Sequence, residues 1–173
     1  YHVAGGSGQK FGDGPLHDLT LSGWNQTLDH NLTSMMLSNQ AAVKTFIGMN
    51  KGGSILNMSS VLGFSPSSAH FANHAYATAK SAIIGFSKSI ASTYATTNIR
   101  VNVVAPAVIE GLVDVSEERD RYITTKQPLD KGRYGRPSDL DGAAVYFMSD
   151  YSNFSTGQIL SVDGGWDITD GQF

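Results

Sequence analysis

The chain has 173 residues, 40% of them hydrophobic, with 19 glycines and only 5 prolines, which suits one folded domain spanning 1–173 with a real core rather than a disordered segment. A formal net charge of −3, a pI near 5.9 and scattered Lys and Arg leave no basic field for a nucleic-acid backbone, so no nucleic-acid partner is expected. No apolar run reaches the roughly 18 residues of a membrane span, so a soluble protein without a membrane partner is expected, and the absence of Cys removes disulfides, thiolate nucleophiles and Cys-based zinc sites together.

Tyr1 to Ala4 is short and apolar and predicts a strand that runs into a glycine-rich loop, GGSGQKFGDGP. From Ser22, a plausible N-cap, the residues Trp24, Leu28, Leu32, Met35, Ala42, Val43, Phe46 and Ile47 recur near helical spacing up to Gly52-Gly53, predicting one long helix. Ser54 to Met58 follows as a strand and then a loop rich in Ser, His and Pro. Asn73 is placed to cap the next helix, whose stripe Ala75, Ala79, Ala82, Ile83, Phe86 and Ile90 continues to about Tyr94. Ile99 to Ala105 alternates as a strand and ends at Pro106, and the polar stretch after it reads as a mobile surface segment. Pro137 and Ser138 open a helix with Leu140, Ala143, Ala144, Phe147 and Met148 on one face, and Gln158 to Val162 is a last strand closed by Asp163-Gly164-Gly165. Alternating strands and helices predict an α/β fold, a parallel sheet covered by helices. In such sheets ligands bind beyond the carboxyl ends of the strands, which directs attention to Gly5, to Ser59 with Ser60, to Pro106 and to Asp163.

Tyr76 and Lys80 lie four apart, so on a helix both point into the same space. A phenol titrates near 10, and a neighbouring ammonium favours the phenolate, so the pair has the makings of a tuned acid/base. The spacing alone is weak, because Tyr122 and Lys126 repeat it. Setting separates the two. Tyr76 begins the helix that follows the strand delivering Ser59 and Ser60, and a hydroxyl with a tuned phenol can together hold a carbonyl oxygen; Tyr122, beside Arg119, Asp120 and Arg121, reads as surface. His70 and His74 are also four apart, but neither Cys nor carboxylate neighbours them, so a pocket wall is expected and no metal.

At this point the chain resembles the short-chain dehydrogenase/reductase family along its whole length. His2-Val3-Ala4-Gly5 is similar to the family's NNAG element, Asn31-Leu32-Thr33-Ser34 to the segment with its active-site Asn, ILNMSSVLG to its serine strand and YATAK to its YxxxK. RVNVVAPAVIEG, GRPSDLDGAAVYFMSD and TGQILSVDGGW follow in the family's order. The resemblance implies a partial, doubly wound Rossmann-like sheet, the C-terminal catalytic portion of the family fold. It implies an oxidoreductase that interconverts a carbonyl and an alcohol with NAD or NADP. Tyr76 would carry the proton, Ser60 would orient the substrate oxygen, Lys80 would bind the nicotinamide ribose and lower the phenol's pKa, and Asn31 would interrupt its helix and anchor a water chain. Cofactor contacts would come from Ala4, Gly5, Tyr76, Lys80, Pro106, Ala107 and Ile109. A homodimer or homotetramer, built on the Tyr76 helix and the last strand, a small-molecule carbonyl or alcohol substrate and a cytoplasmic location complete the expectation.

The family's opening strand, TGxxxGxG turn and helix have no match, so roughly the first 80 residues of a typical member are expected to be absent. The loop Gly6-Ser7-Gly8 lacks the spacing to replace that cradle. A longer natural protein is the favoured explanation, completion by a partner copy the other, and a non-catalytic binding or assembly remnant the alternative function. Val3, Ala107, Gly111 and about three extra residues between Ser60 and Tyr76 are the smaller departures.

Overall fold

A computed structural model describes residues 1–65, 71–111 and 116–171. Helices α1 (Leu21–Leu28) and α2 (Ser34–Gly48) precede strand β1 (Gly53–Met58); α3 (His74–Tyr94) leads to β2 (Ile99–Pro106). Then come α4 (Glu117–Lys126), the single turn α5 (Leu129–Gly132), α6 (Asp141–Met148) and β3 (Ile159–Val162). The strands form a parallel sheet in the order β1-β2-β3, with Gly53 through Met58 facing Ile99 through Val104 and Val103 through Pro106 facing Ile159 through Val162. The fold is therefore α/β, as the alternation predicts.

Two helices cover one face of this sheet. Val43 of α2 and Ala91 of α3 pack with Ile55, Ile99 and Val101. Below them a polar seam runs through the same layer: Asn57 exchanges amide hydrogen bonds with Asn39 of α2 at 2.8 and 3.0 Å and donates to Ser87 of α3 at 3.0 Å, all three residues being buried. The alternate residues Leu56 and Val104 face α6, where they meet Ala143 and Phe147. Leu140 and Ala144 join that contact as expected, but Met148 is 41% exposed, because at 3.6 residues per turn it has rotated off the stripe.

Several expected elements differ. The Tyr1–Ala4 strand reduces to one parallel bridge between His2 and Asn57, with His2 N–H donating to Leu56 C=O at 2.9 Å, since Gly5 at φ +142° turns the chain away. Thr20, not Ser22, caps α1, its hydroxyl accepting from Gly23 N–H at 2.9 Å. The long helix is interrupted at Asp29–Thr33 by a π-turn and stops at Gly48 rather than Gly52. Asn73 holds the N-cap position of α3 without capping it through its side chain. Pro137 opens a 3₁₀ turn, Pro137–Leu140, before the α-helix begins at Asp141. The polar stretch contains helix α4, capped by the Ser116 hydroxyl, and its Tyr122 is half-buried against Phe71 and Trp166 rather than on the surface.

Candidate active site

Tyr76 is the third residue of α3, and β1 ends two residues before Ser60. The Ser60 hydroxyl accepts from Leu62 N–H at 3.2 Å and stands near enough to the Tyr76 phenol to favour its ionised form. The two hydroxyls therefore share one side of the sheet. Ser59 turns the other way and donates to the backbone carbonyl of Lys80 at 2.7 Å. Gly63 permits this meeting: a Cβ there would lie 2.8 Å from backbone atoms of Lys80 and Ser81, so only glycine lets the serine loop lie flat on α3.

Lys80 is 3% exposed, donates to the Met58 carbonyl at 3.1 Å and sits 5.4 Å from the centroid of the Tyr76 ring. Burial lowers its pKa to about 8. The phenol does not show the downward tuning expected from its cationic neighbour. Burial raises the Tyr76 pKa, and the neighbouring Ser60 hydroxyl offsets this only in part. With an ammonium that is itself costly to keep charged, desolvation governs both groups.

Asn31 lies in the π-turn and is fully buried. Its amide donates to the carbonyls of Thr27 and Gly6 at 3.0 Å each and its oxygen accepts from Gly6 N–H at 3.0 Å. Clasping a loop 25 residues away takes the side chain inward, and the widened helix turn accommodates it. Gly5 fits between the two functional candidates: a Cβ on it would come within 2.6 Å of Asn31 Oδ1 and 3.4 Å of Lys80 Nζ. Ala4 is exposed beside it.

Pro106 closes β2 opposite Val162, and Ala107 and Ile109 continue into a cleft of about 250 Å³ shared with Val108, Gln127, Leu129 and Asp163. Gln127 clamps that segment, accepting from Val108 N–H at 2.7 Å and donating to its carbonyl at 3.2 Å. On the cleft's rim the Arg133 guanidinium, bound to Asp139 and Asp130 at 2.7 Å each, holds the Asp139 carboxyl down to about 2. Neither Gln127 nor Asp13, whose carboxylate meets the start of α3, carries a local sequence signal, because each acts on backbone N–H groups that any residue could present. His70 lies outside the described residues, and among the described residues no group of three or more His, Asp or Glu is placed to hold a metal ion.

Comparison with known proteins bears on this arrangement. A family model described as enoyl-(acyl carrier protein) reductase matches residues 1–167. The 2-dehydro-3-deoxy-D-gluconate 5-dehydrogenase of Escherichia coli is 33% identical over 147 residues, 83% of this chain and 56% of that protein. The 3-oxoacyl-(acyl-carrier-protein) reductase of Rickettsia bellii is 38% identical over 146 residues, 82% of this chain and 57% of that protein. Among solved structures, a 4-hydroxyisoleucine dehydrogenase complexed with NADH and succinate superposes with a TM-score of 0.83 at 29% identity, covering 95% of this chain and 65% of that one. A short-chain dehydrogenase from Leptospira borgpetersenii with bound NAD+ gives 0.83 at 34% identity over 90% of this chain and 61% of that one. The chain spans a little over half the length of the curated relatives it matches.

Proposed function

Because the chain belongs to the short-chain dehydrogenase/reductase family, we propose that its protein interconverts a carbonyl and an alcohol using NAD or NADP, with Tyr76 as the proton carrier. The single observation that supports this most is the convergence of Ser60, Tyr76 and Lys80, with the Ser60 hydroxyl beside the phenol and the Lys80 ammonium 5.4 Å from the centre of its ring. A substrate oxygen placed against both would be held by Ser60 and would receive the Tyr76 proton during reduction. In oxidation the direction reverses: the phenolate takes the hydroxyl proton. A phenol raised by burial stays protonated at neutral pH, so the site as it stands holds the proton that reduction delivers to the substrate oxygen.

The residues fit a dinucleotide. When bound, the nicotinamide supplies or accepts the hydride. Lys80 Nζ uses one of its three donors on Met58, which leaves two for ribose hydroxyls, and Gly5 keeps the space beside it free of a side chain. Ala4, Pro106, Ala107 and Ile109 are assigned the remaining cofactor contacts, Asn31 the support of Gly6 and of water next to Lys80, and the chain the role of the catalytic portion of one Rossmann-type domain. The substrate is a small molecule, and the assembly a homodimer or homotetramer through α3 and β3. Titration with NADH and NADPH, followed by fluorescence, tests the reading: saturable binding is expected, and no binding at millimolar cofactor overturns it in favour of a binding or assembly module.

A further inference from the structure

The N-terminus of α3 is capped from a distance. The first-turn N–H groups of a helix have no partner within it, and a side chain at the N-cap position ordinarily accepts from one of them. Asn73 occupies that position and its side chain makes no cap bond. The acceptor is Asp13, whose two carboxylate oxygens take the N–H of Ala75 at 3.0 Å and the N–H of Tyr76 at 2.9 Å across 62 and 63 residues of sequence. Asp13 is 5% exposed, so its charge is met by these two donors and by the positive end of the helix rather than by water.

The loop that carries Asp13 is itself fixed at several points. Asp13 N–H and Phe11 N–H both donate to the Gly8 carbonyl, at 3.1 and 2.8 Å, which folds the segment into a compact turn. Gly23 of α1 lies against that turn so closely that a Cβ there would come within 2.7 Å of the Gly12 and Phe11 backbone. Upstream, the same loop is clasped at Gly6 by Asn31. One segment of chain thus holds the Asn31 turn at one end and the Tyr76 turn at the other.

We propose that Asp13 is a positioning residue: through the Ala75 and Tyr76 N–H groups it sets where the first turn of α3, and with it the phenol, stands relative to Ser60 and Asn31. This rests on Tyr76 being the proton carrier. Misplacement of a reacting group by about 1 Å can cost a hundredfold in rate, so a short tether of this kind acts on turnover more than on binding.

Asp13→Asn keeps the shape, accepts one N–H and sets an amide against the other; Asp13→Ala removes both acceptors. Turnover is expected to fall roughly tenfold in the first and about a hundredfold in the second, with KM and the cofactor Kd within about twofold. Hydrogen exchange supplies a readout independent of activity: the Ala75 and Tyr76 amides lose protection by about tenfold or more, while the β1–β2 ladder keeps its own. Combined with Tyr76→Phe, Asp13→Asn should cost nothing further. Equal losses with and without Tyr76, protection lost uniformly across the sheet, or unchanged protection at Ala75 and Tyr76 would each overturn the proposal. If instead Tyr76→Phe leaves turnover intact, the functional reading fails first and takes the positioning role with it.

Discussion

The chain holds the same four-residue pattern twice, and the two copies have opposite uses. Tyr76 and Lys80 on α3, and Tyr122 and Lys126 on α4, each stand one helical turn apart, and both lysines are nearly buried at 3% and 8% exposure. On α3 the partners come from the end of a strand: the phenol meets Ser60, and the ammonium meets the Met58 carbonyl. On α4 the ring stacks edge-on against Trp166 at 5.8 Å, and the ammonium donates to the Thr169 carbonyl while lying 5.7 Å from the same Trp166 ring. One copy is open to chemistry at a strand end, and the other fastens the C-terminal segment to α4. Spacing provides only coincidence of direction; the neighbouring element decides what the pair can do.

The contrast can be broken most sharply at the phenols. Tyr76→Phe is expected to reduce turnover by roughly a thousandfold without unfolding the chain, measured as steady-state rate alongside far-UV dichroism. A residual rate near that of the unsubstituted protein would remove the distinction. Next come the lysines, where the sign of the stability change separates the copies. Lys80 pKa is lowered from 10.5 to about 8, so keeping it charged at pH 7 costs roughly 3 kcal/mol, and Lys80→Met should stabilise the fold by up to that amount in urea titrations while abolishing turnover. Between about pH 8 and 10 the unfolded chain retains a proton that the folded chain has released, so the unsubstituted protein gains stability as pH rises and the advantage of Lys80→Met shrinks. An advantage that grows over that window would contradict burial as the cause. Lys126→Met, which deletes the donor to Thr169 and the cation over Trp166, should instead destabilise by about 1 to 2 kcal/mol. The smallest effect belongs to Tyr122→Phe, for which turnover is expected to stay within about twofold.

Local rules reach unevenly into this molecule. The helix that carries Tyr76 is legible because its Ala75, Ala79, Ile83 stripe is buried at helical spacing, whereas β1 and β2 are legible as short apolar runs: β2 is buried without a break from Val101 to Pro106, since helices cover both faces, and does not alternate as its sequence suggests. The convergence of Asn31, Tyr76 and Lys80 was legible only through ordered motifs; no single spacing carries it, as the second copy shows. Helix α4 escaped because EERDRYITTK buries only Ile123 and Lys126, too few apolar positions for a stripe. The π-turn and the cap on α3 escaped for a different reason. Asn31 and Asp13 bind backbone groups 25 and about 60 residues away, and a backbone group has no sequence signature. The upward shift of the Tyr76 phenol likewise depends on how many atoms surround it, which the spacing to Lys80 does not report.

The buried exchange between Asn39, Asn57 and Ser87 sets an axial stop on β1. Sliding this strand by one residue would put a hydrophobic side chain where Asn57 now stands and leave amide groups stranded in a dry layer, at about 1 to 3 kcal/mol for each orphaned group. The same slip would carry Ser60 along the strand axis by about 3.3 Å, beyond reach of the phenol. Two amides and a hydroxyl with no chemistry of their own thereby act as a detent, and the depth at which the serine stops is fixed three residues before it, by Asn57 gripped between α2 and α3.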